Sequence, residues 1–69
     1  MTLEEIRRTD KLFLTPEDIS DVLGSDKHTI SLSARQQPEL TRFPFTFIGT
    51  RMKIPRDGFL RWYYGTANP

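Results

Sequence analysis

A run of polar and basic side chains lies in the middle of the chain. It comprises Lys27, His28, Thr29, Ser31 and Arg35. Lysine and arginine bind phosphate and guanine oxygens, and hydroxyl and imidazole groups hydrogen-bond to base edges in the major groove. On one exposed helix face, these residues are predicted to form a recognition surface for duplex DNA.

A second basic group follows, consisting of Arg42, Arg51, Lys53 and Arg56. Arg51 and Lys53 are two residues apart, so in a β-strand they project from the same face. A basic hairpin beside a recognition helix can reach backbone phosphates or an adjacent minor groove. The alternative is that these charges only protect an edge strand from aggregation.

Charge is distributed unevenly along the 69 residues. Residues 1–26 hold three basic and seven acidic residues, a net charge of −4, whereas residues 27–69 hold seven basic and two acidic residues, a net charge of +5. The total of +1 conceals this asymmetry. The second half of the chain is therefore predicted to present a positive face to a polyanion.

Other kinds of chemistry lack the residues they need. His28 is the only histidine and there is no cysteine, which argues against a metal site, and no nucleophile–base pair is discernible. We therefore expect neither an enzyme, nor a cofactor, nor a small-molecule ligand. The absence of cysteine, of a long apolar run and of a basic-then-apolar amino terminus leads us to expect a cytoplasmic, soluble protein without membrane contact.

The basic residues need elements to position them, and residues 15–36 are predicted to form two helices joined by a tight turn. Thr15 is a suitable N-cap, Pro16 suits the first helical position, and Gly24 suits the turn. Asp26 is predicted to cap the second helix, which runs to about Gln36. This is the layout of a helix-turn-helix, although a plain helical hairpin with a solvated outer face has the same pattern.

Three apolar residues distinguish the faces of the predicted second helix. Ile30 and Ala34 are four residues apart and can face the first helix, whereas Leu32 points away from both. Leu32 is therefore predicted to pack on the amino-terminal segment or on a partner.

Residues 43–54 are predicted to form a two-stranded β-hairpin with Gly49 and Thr50 in the turn. This register gives the pairs Ile48–Arg51, Phe47–Met52, Thr46–Lys53 and Phe45–Ile54. It places Phe45, Phe47, Met52 and Ile54 on one face and Arg51 and Lys53 on the other. The aromatic residues are therefore assigned to the core and not to a surface that stacks on single-stranded RNA.

The two ends complete a predicted single α+β domain over residues 1–69. Residues 1–11 are expected to be a short helix, about residues 3–9, or a frayed arm, because Thr2 and Glu5 have capping-box spacing. Pro55 is expected to break the strand, and the aromatic-rich residues after it to form a closing helix. Residues 65–69 are expected to be a flexible tail.

Three segments together carry a family resemblance: FLTPEDISDVLG at residues 13–24, Thr29-Ile30, and GTRMKIPR at residues 49–56. They resemble the small excisionase-type helix-turn-helix proteins of the MerR-like winged-helix superfamily, over about residues 12–64. Those proteins show an L-T-x-x-E-x-A-x-x-L-G segment and a wing that ends in W-R-I-P-R.

The resemblance implies a winged helix-turn-helix fold that binds DNA. It also implies a protein of a phage or integrative element, acting as a recombination accessory factor for an integrase or as a small transcription regulator. It assigns the recognition helix to Lys27, His28, Thr29, Ser31 and Arg35. It assigns the wing contacts to Arg51 and Lys53.

A different class of function stays open at this point. Leu32, an exposed Ile48 and the acidic amino-terminal third could instead belong to a protein-interaction module. Such a module would dock on an integrase or associate with itself, without recognising DNA independently.

Overall fold

The chain folds as a small α+β domain, described over residues 1–67 by a computed structural model. This part of the chain contains four α-helices: α1 (Leu3–Arg8), α2 (Pro16–Leu23), α3 (Lys27–Gln36) and α4 (Arg56–Ala67). It also contains three strands, β1 (Phe13–Leu14), β2 (Thr46–Ile48) and β3 (Arg51–Pro55), and a 3₁₀ turn at Pro38–Leu40. No helix within residues 1–67 has the length and apolar character needed to cross a bilayer.

Helix α1 forms as the spacing of Thr2 and Glu5 predicts. The Thr2 hydroxyl accepts a hydrogen bond from the N–H of Glu5 at 3.2 Å, and the Glu5 carboxylate accepts one from the N–H of Thr2 at 2.8 Å. These bonds satisfy two amide groups that a helix start otherwise leaves unpaired. Ile6 is fully buried, so α1 is a packed helix and not a frayed arm.

Helix α2 starts where Thr15 and Pro16 predict. The Thr15 hydroxyl accepts from the N–H of Asp18 at 3.2 Å, and the Asp18 carboxylate accepts from the N–H of Thr15 at 3.0 Å. Lys11 Nζ also donates to this carboxylate. Partial burial raises the pKa of Asp18, but the hydrogen bonds from Lys11 and Thr15 outweigh it, so the net pKa lies below its ordinary value.

The turn between α2 and α3 depends on one glycine and one aspartate. Gly24 has φ +73°, the left-handed conformation that ends a helix tightly. Two residues later the Asp26 carboxylate accepts a hydrogen bond from the N–H of Thr29 at 2.7 Å and caps α3. The predicted end of α2 at Gly24 and the predicted start of α3 after Asp26 are both confirmed. Ile30 and Ala34 are buried within the core, also as predicted.

The β2–β3 hairpin has the predicted register, with the pairs Thr46–Lys53, Phe47–Met52 and Ile48–Arg51. The fourth predicted pair, Phe45–Ile54, does not form, because β2 begins at Thr46. Phe45 and Phe47 are half-buried, with their rings 5.9 Å apart in edge-to-face contact.

The expectation of a two-stranded sheet is wrong, because β1 adds a third strand. Leu14 pairs with Ile54 and Phe13 with Pro55, which gives an antiparallel sheet in the order β1-β3-β2. Pro55 pairs with Phe13 as the last residue of β3, and α4 begins at Arg56, so the strand ends at this proline as expected. Strand β3 lies in the centre of the sheet. Its pairing with β1, which directly precedes α2, holds the hairpin against the helical part of the domain.

Helix α4 closes the core with aromatic side chains. The Phe59 ring is fully buried and meets the ring of Phe43 edge-on, with centroids 5.4 Å apart, and Trp62 lies 5.3 Å from Phe43. The helix continues to Ala67 through residues 65–67, where a flexible tail was expected. Residues 68 and 69 of that expected tail lie outside the described residues.

Candidate nucleic-acid interface

Five of the predicted site residues line one groove, which we call the hairpin groove. It lies between the amino-terminal ends of α2 and α3 and the β2–β3 hairpin, and it has a volume of about 330 Å³. The predicted residues along it are Lys27, His28, Ser31, Arg51 and Lys53. The fold thus brings together two basic groups that are 20 residues or more apart in sequence.

The hairpin groove is electropositive. Within residues 1–67, Lys27, Arg51 and Lys53 form no ion pair with a carboxylate. The amino-terminal end of α3 adds the positive pole of a helix dipole. Glu17, in the first turn of α2, is the carboxylate that lines the groove. The balance of charge in the groove therefore favours an anion.

The acidic half of the chain neutralises its own cations instead. Arg7 and Arg8 both pair with Glu4, at 3.7 and 2.9 Å, and Lys11 pairs with Asp18. The three basic side chains of residues 1–26 are thus paired with carboxylates, whereas Lys27, Arg51 and Lys53 have no such partner within residues 1–67.

Asp26 brings a negative charge close to the groove. The hydrogen bond from the N–H of Thr29 lowers the pKa of Asp26 below its ordinary value, so the carboxylate is charged at neutral pH. Its cap is needed to start α3, and its charge opposes an anion at the same helix end.

Arg35 joins α3 to the hairpin. Its Nη2 donates to the carbonyl oxygen of Thr50 at 3.4 Å, and its guanidinium carbon lies 4.7 Å from the centre of the Phe47 ring. A cation above an aromatic ring is attracted by the electrons of the ring face. Arg35 is thus both a predicted DNA contact and a link that holds the hairpin beside the helix.

The exposed outer face of α3 carries Leu32. The sequence predicted that Leu32 points away from the core, but did not include it among the DNA-contacting residues. Leu32 lines a shallow depression with His28, Ser31 and Arg35. Residues 28, 31, 32 and 35 have the spacing of one helix face, so this spacing could have placed Leu32 beside the predicted DNA contacts from the sequence alone. Leu32 therefore belongs to the candidate interface.

Two predicted residues lie on the opposite flank of α3. Thr29 and Arg42 line a separate groove of about 210 Å³, together with the hydroxyl-bearing residues Ser25, Ser33 and Thr41. Arg42 is exposed and, within residues 1–67, has no ion-pair partner. The predicted site thus divides between the two sides of one helix.

Arg56 is placed away from these grooves. Its Nη1 donates to the carbonyl oxygens of Arg7 at 3.0 Å and Ile6 at 3.5 Å, at the carboxyl-terminal end of α1, and its Nη2 pairs with Asp57 at 3.2 Å. Sequence proximity to Lys53 suggested a DNA contact. The observed contacts are those of a residue that ties α4 to α1.

Comparisons of the chain with family models, with curated proteins and with solved structures found no match. The assignment of a function therefore rests on the residues and their geometry.

Proposed function

We propose that the protein binds double-stranded DNA as a winged helix-turn-helix, with α3 as the recognition helix and the β2–β3 hairpin as the wing. The observation that carries the proposal is the hairpin groove, where Lys27, Arg51 and Lys53 lie unpaired beside the amino-terminal end of α3. Unpaired cations in a shared groove are suited to phosphate, because binding releases condensed counterions from the DNA.

The dimensions of the proposed recognition helix fit the major groove. An α-helix with its side chains is about 10–12 Å across, and the major groove is about 12 Å wide. With α3 in the major groove, its two flanks approach the two phosphate backbones. The hairpin groove would hold one backbone, and Arg42 beside Thr29 would contact the other.

The biological role proposed here follows the resemblance of residues 12–64 to excisionase-type proteins. It is that of an accessory factor that organises DNA for an integrase, or of a small transcription regulator of a mobile element. Both roles require the same DNA-binding surface.

A charge-matched pair of variants tests the proposal. The double variant Arg51→Ala/Lys53→Ala removes two unpaired cations from the wing, whereas Arg7→Ala/Arg8→Ala removes two self-paired cations from α1. Fluorescence anisotropy with a labelled random-sequence duplex, measured over a series of salt concentrations, reports both affinity and the number of phosphates contacted. For the wild-type protein we expect log K to fall with log salt with a slope of about −3 to −5.

The wing variant should lose about two units of that slope, since each phosphate contact contributes about 0.9. The α1 variant should keep the wild-type slope. Equal losses in the two variants would show that only net charge matters and would reject the assigned surface. Absence of salt-dependent binding to any duplex would reject DNA binding.

A protein-interaction module is the second candidate, and exposed apolar residues on the sheet edge favour it. Leu12 and Phe13, at edge strand β1, are 79% and 47% exposed. Such a module would bury these residues against a copy of itself or against an integrase. Sedimentation equilibrium of the wild type and of Leu12→Ala tests self-association. An oligomer that Leu12→Ala weakens supports the interaction module, whereas a strict monomer that binds DNA excludes self-association as the primary function.

A further inference from the structure

Leu32 occupies the most outward position on helix α3. Successive helical residues are about 100° apart, so Leu32 lies about 180° around the helix from the mean direction of the buried Ile30 and Ala34. Its side chain is 50% exposed. On the proposed recognition helix, this is the residue that would point most directly to the base pairs.

The surroundings of Leu32 are polar. His28, Ser31 and Arg35 share its depression, and each can hydrogen-bond to a base edge or a phosphate. Leu32 can do neither, and its apolar surface gains free energy only from an apolar contact that excludes water. In the major groove the apolar group that a base pair offers is the 5-methyl group of thymine.

A protein partner fits this position less well than a methyl group does. The other large exposed apolar side chains within residues 1–67 belong to other elements, and they are Leu12, Phe13, Leu40, Ile48 and Tyr64. Protein docking surfaces are contiguous apolar patches of several hundred Å². One leucine surrounded by imidazole, hydroxyl and guanidinium groups offers only enough apolar surface for a contact of methyl size.

We propose that Leu32 is a specificity-determining residue that packs against the 5-methyl group of a thymine in the major groove. This inference rests on the proposed function, with α3 as the recognition helix. It adds a statement about sequence preference: the bound site contains a thymine that is recognised by its methyl group and not only by its hydrogen-bonding pattern.

The test uses selection followed by removal of single methyl groups. Duplexes bound by the wild-type protein are selected from a pool with a randomised central segment, and each thymine of the selected site is then replaced by uracil. Uracil keeps the base pair and lacks the methyl group. Affinities are measured for the wild type, for Leu32→Ala and for Tyr64→Ala, the last truncating an exposed apolar side chain on α4 that belongs to neither proposed surface.

At one thymine position, uracil should weaken binding of the wild type and of Tyr64→Ala about fourfold, the effect of returning one methyl-sized group to water. Leu32→Ala should bind more weakly than the wild type and show no uracil effect at that position. Thermal unfolding of Leu32→Ala close to that of the wild type confirms that the fold is intact.

Two other outcomes overturn the inference, and they are distinguishable. If no thymine shows a uracil effect, or if the effect persists in Leu32→Ala, the protein binds DNA but Leu32 does not read a methyl group. If no duplex is bound at all, the proposed function fails, and this inference fails with it.

Discussion

The contacts of Arg56 lead to a prediction that separates a structural role from a DNA-binding one. The last carbonyl groups of a helix have no partner within the helix, and they carry the negative pole of its dipole. The Arg56 guanidinium donates to two of these carbonyls, those of Ile6 and Arg7, across 50 and 49 residues of sequence. Arg56→Ala removes these bonds and leaves α1 attached by the buried Ile6 and by the contacts of Met1 with the core and with Asp21.

The magnitude follows from the geometry. A hydrogen bond from a charged group contributes about 1.5–3 kcal/mol. Only the contact to Arg7 is short, at 3.0 Å, and the Arg56 side chain is 27% exposed, so we expect a loss of about 1–2 kcal/mol in the free energy of unfolding. The ion pair with Asp57 adds little, because that carboxylate is 81% exposed.

Thermal and chemical unfolding followed by circular dichroism measure this loss. For a domain of this size, 1–2 kcal/mol lowers Tm by about 5–15 °C. Arg61→Ala is the matched control, since Arg61 is an exposed arginine on the same helix that forms no hydrogen bond or ion pair within residues 1–67. It should leave Tm within a degree or two of the wild type.

DNA binding by Arg56→Ala is measured below its Tm, over a salt series. The slope of log K against log salt should equal that of the wild type, because Arg56 lies outside the hairpin groove. The reasoning is refuted if Tm is unchanged while the slope falls by about 0.9, the signature of a lost phosphate contact.

Three further predictions concern the helices. A Cβ at Gly58 would lie 2.5 Å from Cγ of Pro44, so Gly58→Ala should lower Tm. A Cβ at Gly65 meets no atom within 4 Å, so Gly65→Ala should raise Tm slightly through the higher helix propensity of alanine. Thermal unfolding measures both changes. Asp26→Ser keeps an N-cap and removes a charge near the groove, so it should tighten DNA binding about two- to threefold at low salt in an anisotropy titration. Asp18 has a lowered pKa in the folded state, so its charge stabilises the fold fully above its ordinary pKa of 3.8, and this contribution is lost as pH falls through the lower, folded value. Urea unfolding should therefore show Asp18→Asn less stable than the wild type at pH 7, with a difference that shrinks below pH 3.8.

Local sequence signals determined the helix boundaries and the hairpin register. The caps at Thr2, Thr15 and Asp26 act on amides only three residues away, and Gly24 reaches its left-handed conformation without help from the rest of the chain. The register around Gly49 follows from a two-residue turn and a period of two. Each of these features depends on neighbours in sequence, so reasoning from sequence finds them.

Long-range pairing was decided by the tertiary structure alone. Strand β1 has two residues, too few for an alternation pattern, and it exists because β3 offers a free edge more than 35 residues later. Arg56 sits beside basic strand residues in sequence, yet its side chain follows the backbone turn into α4 and reaches α1.

The candidate interface depends both on residue types, which the sequence gives directly, and on the packing of distant segments. The sequence alone identified Lys27, His28, Ser31, Arg51 and Lys53 as the residue types suited to DNA. Only the fold decided that these five share one groove, while Thr29 and Arg42 lie on the other flank of α3 and Arg56 lies elsewhere. The physical reason is that residue chemistry is intrinsic to each side chain, whereas proximity between distant segments depends on how the core packs.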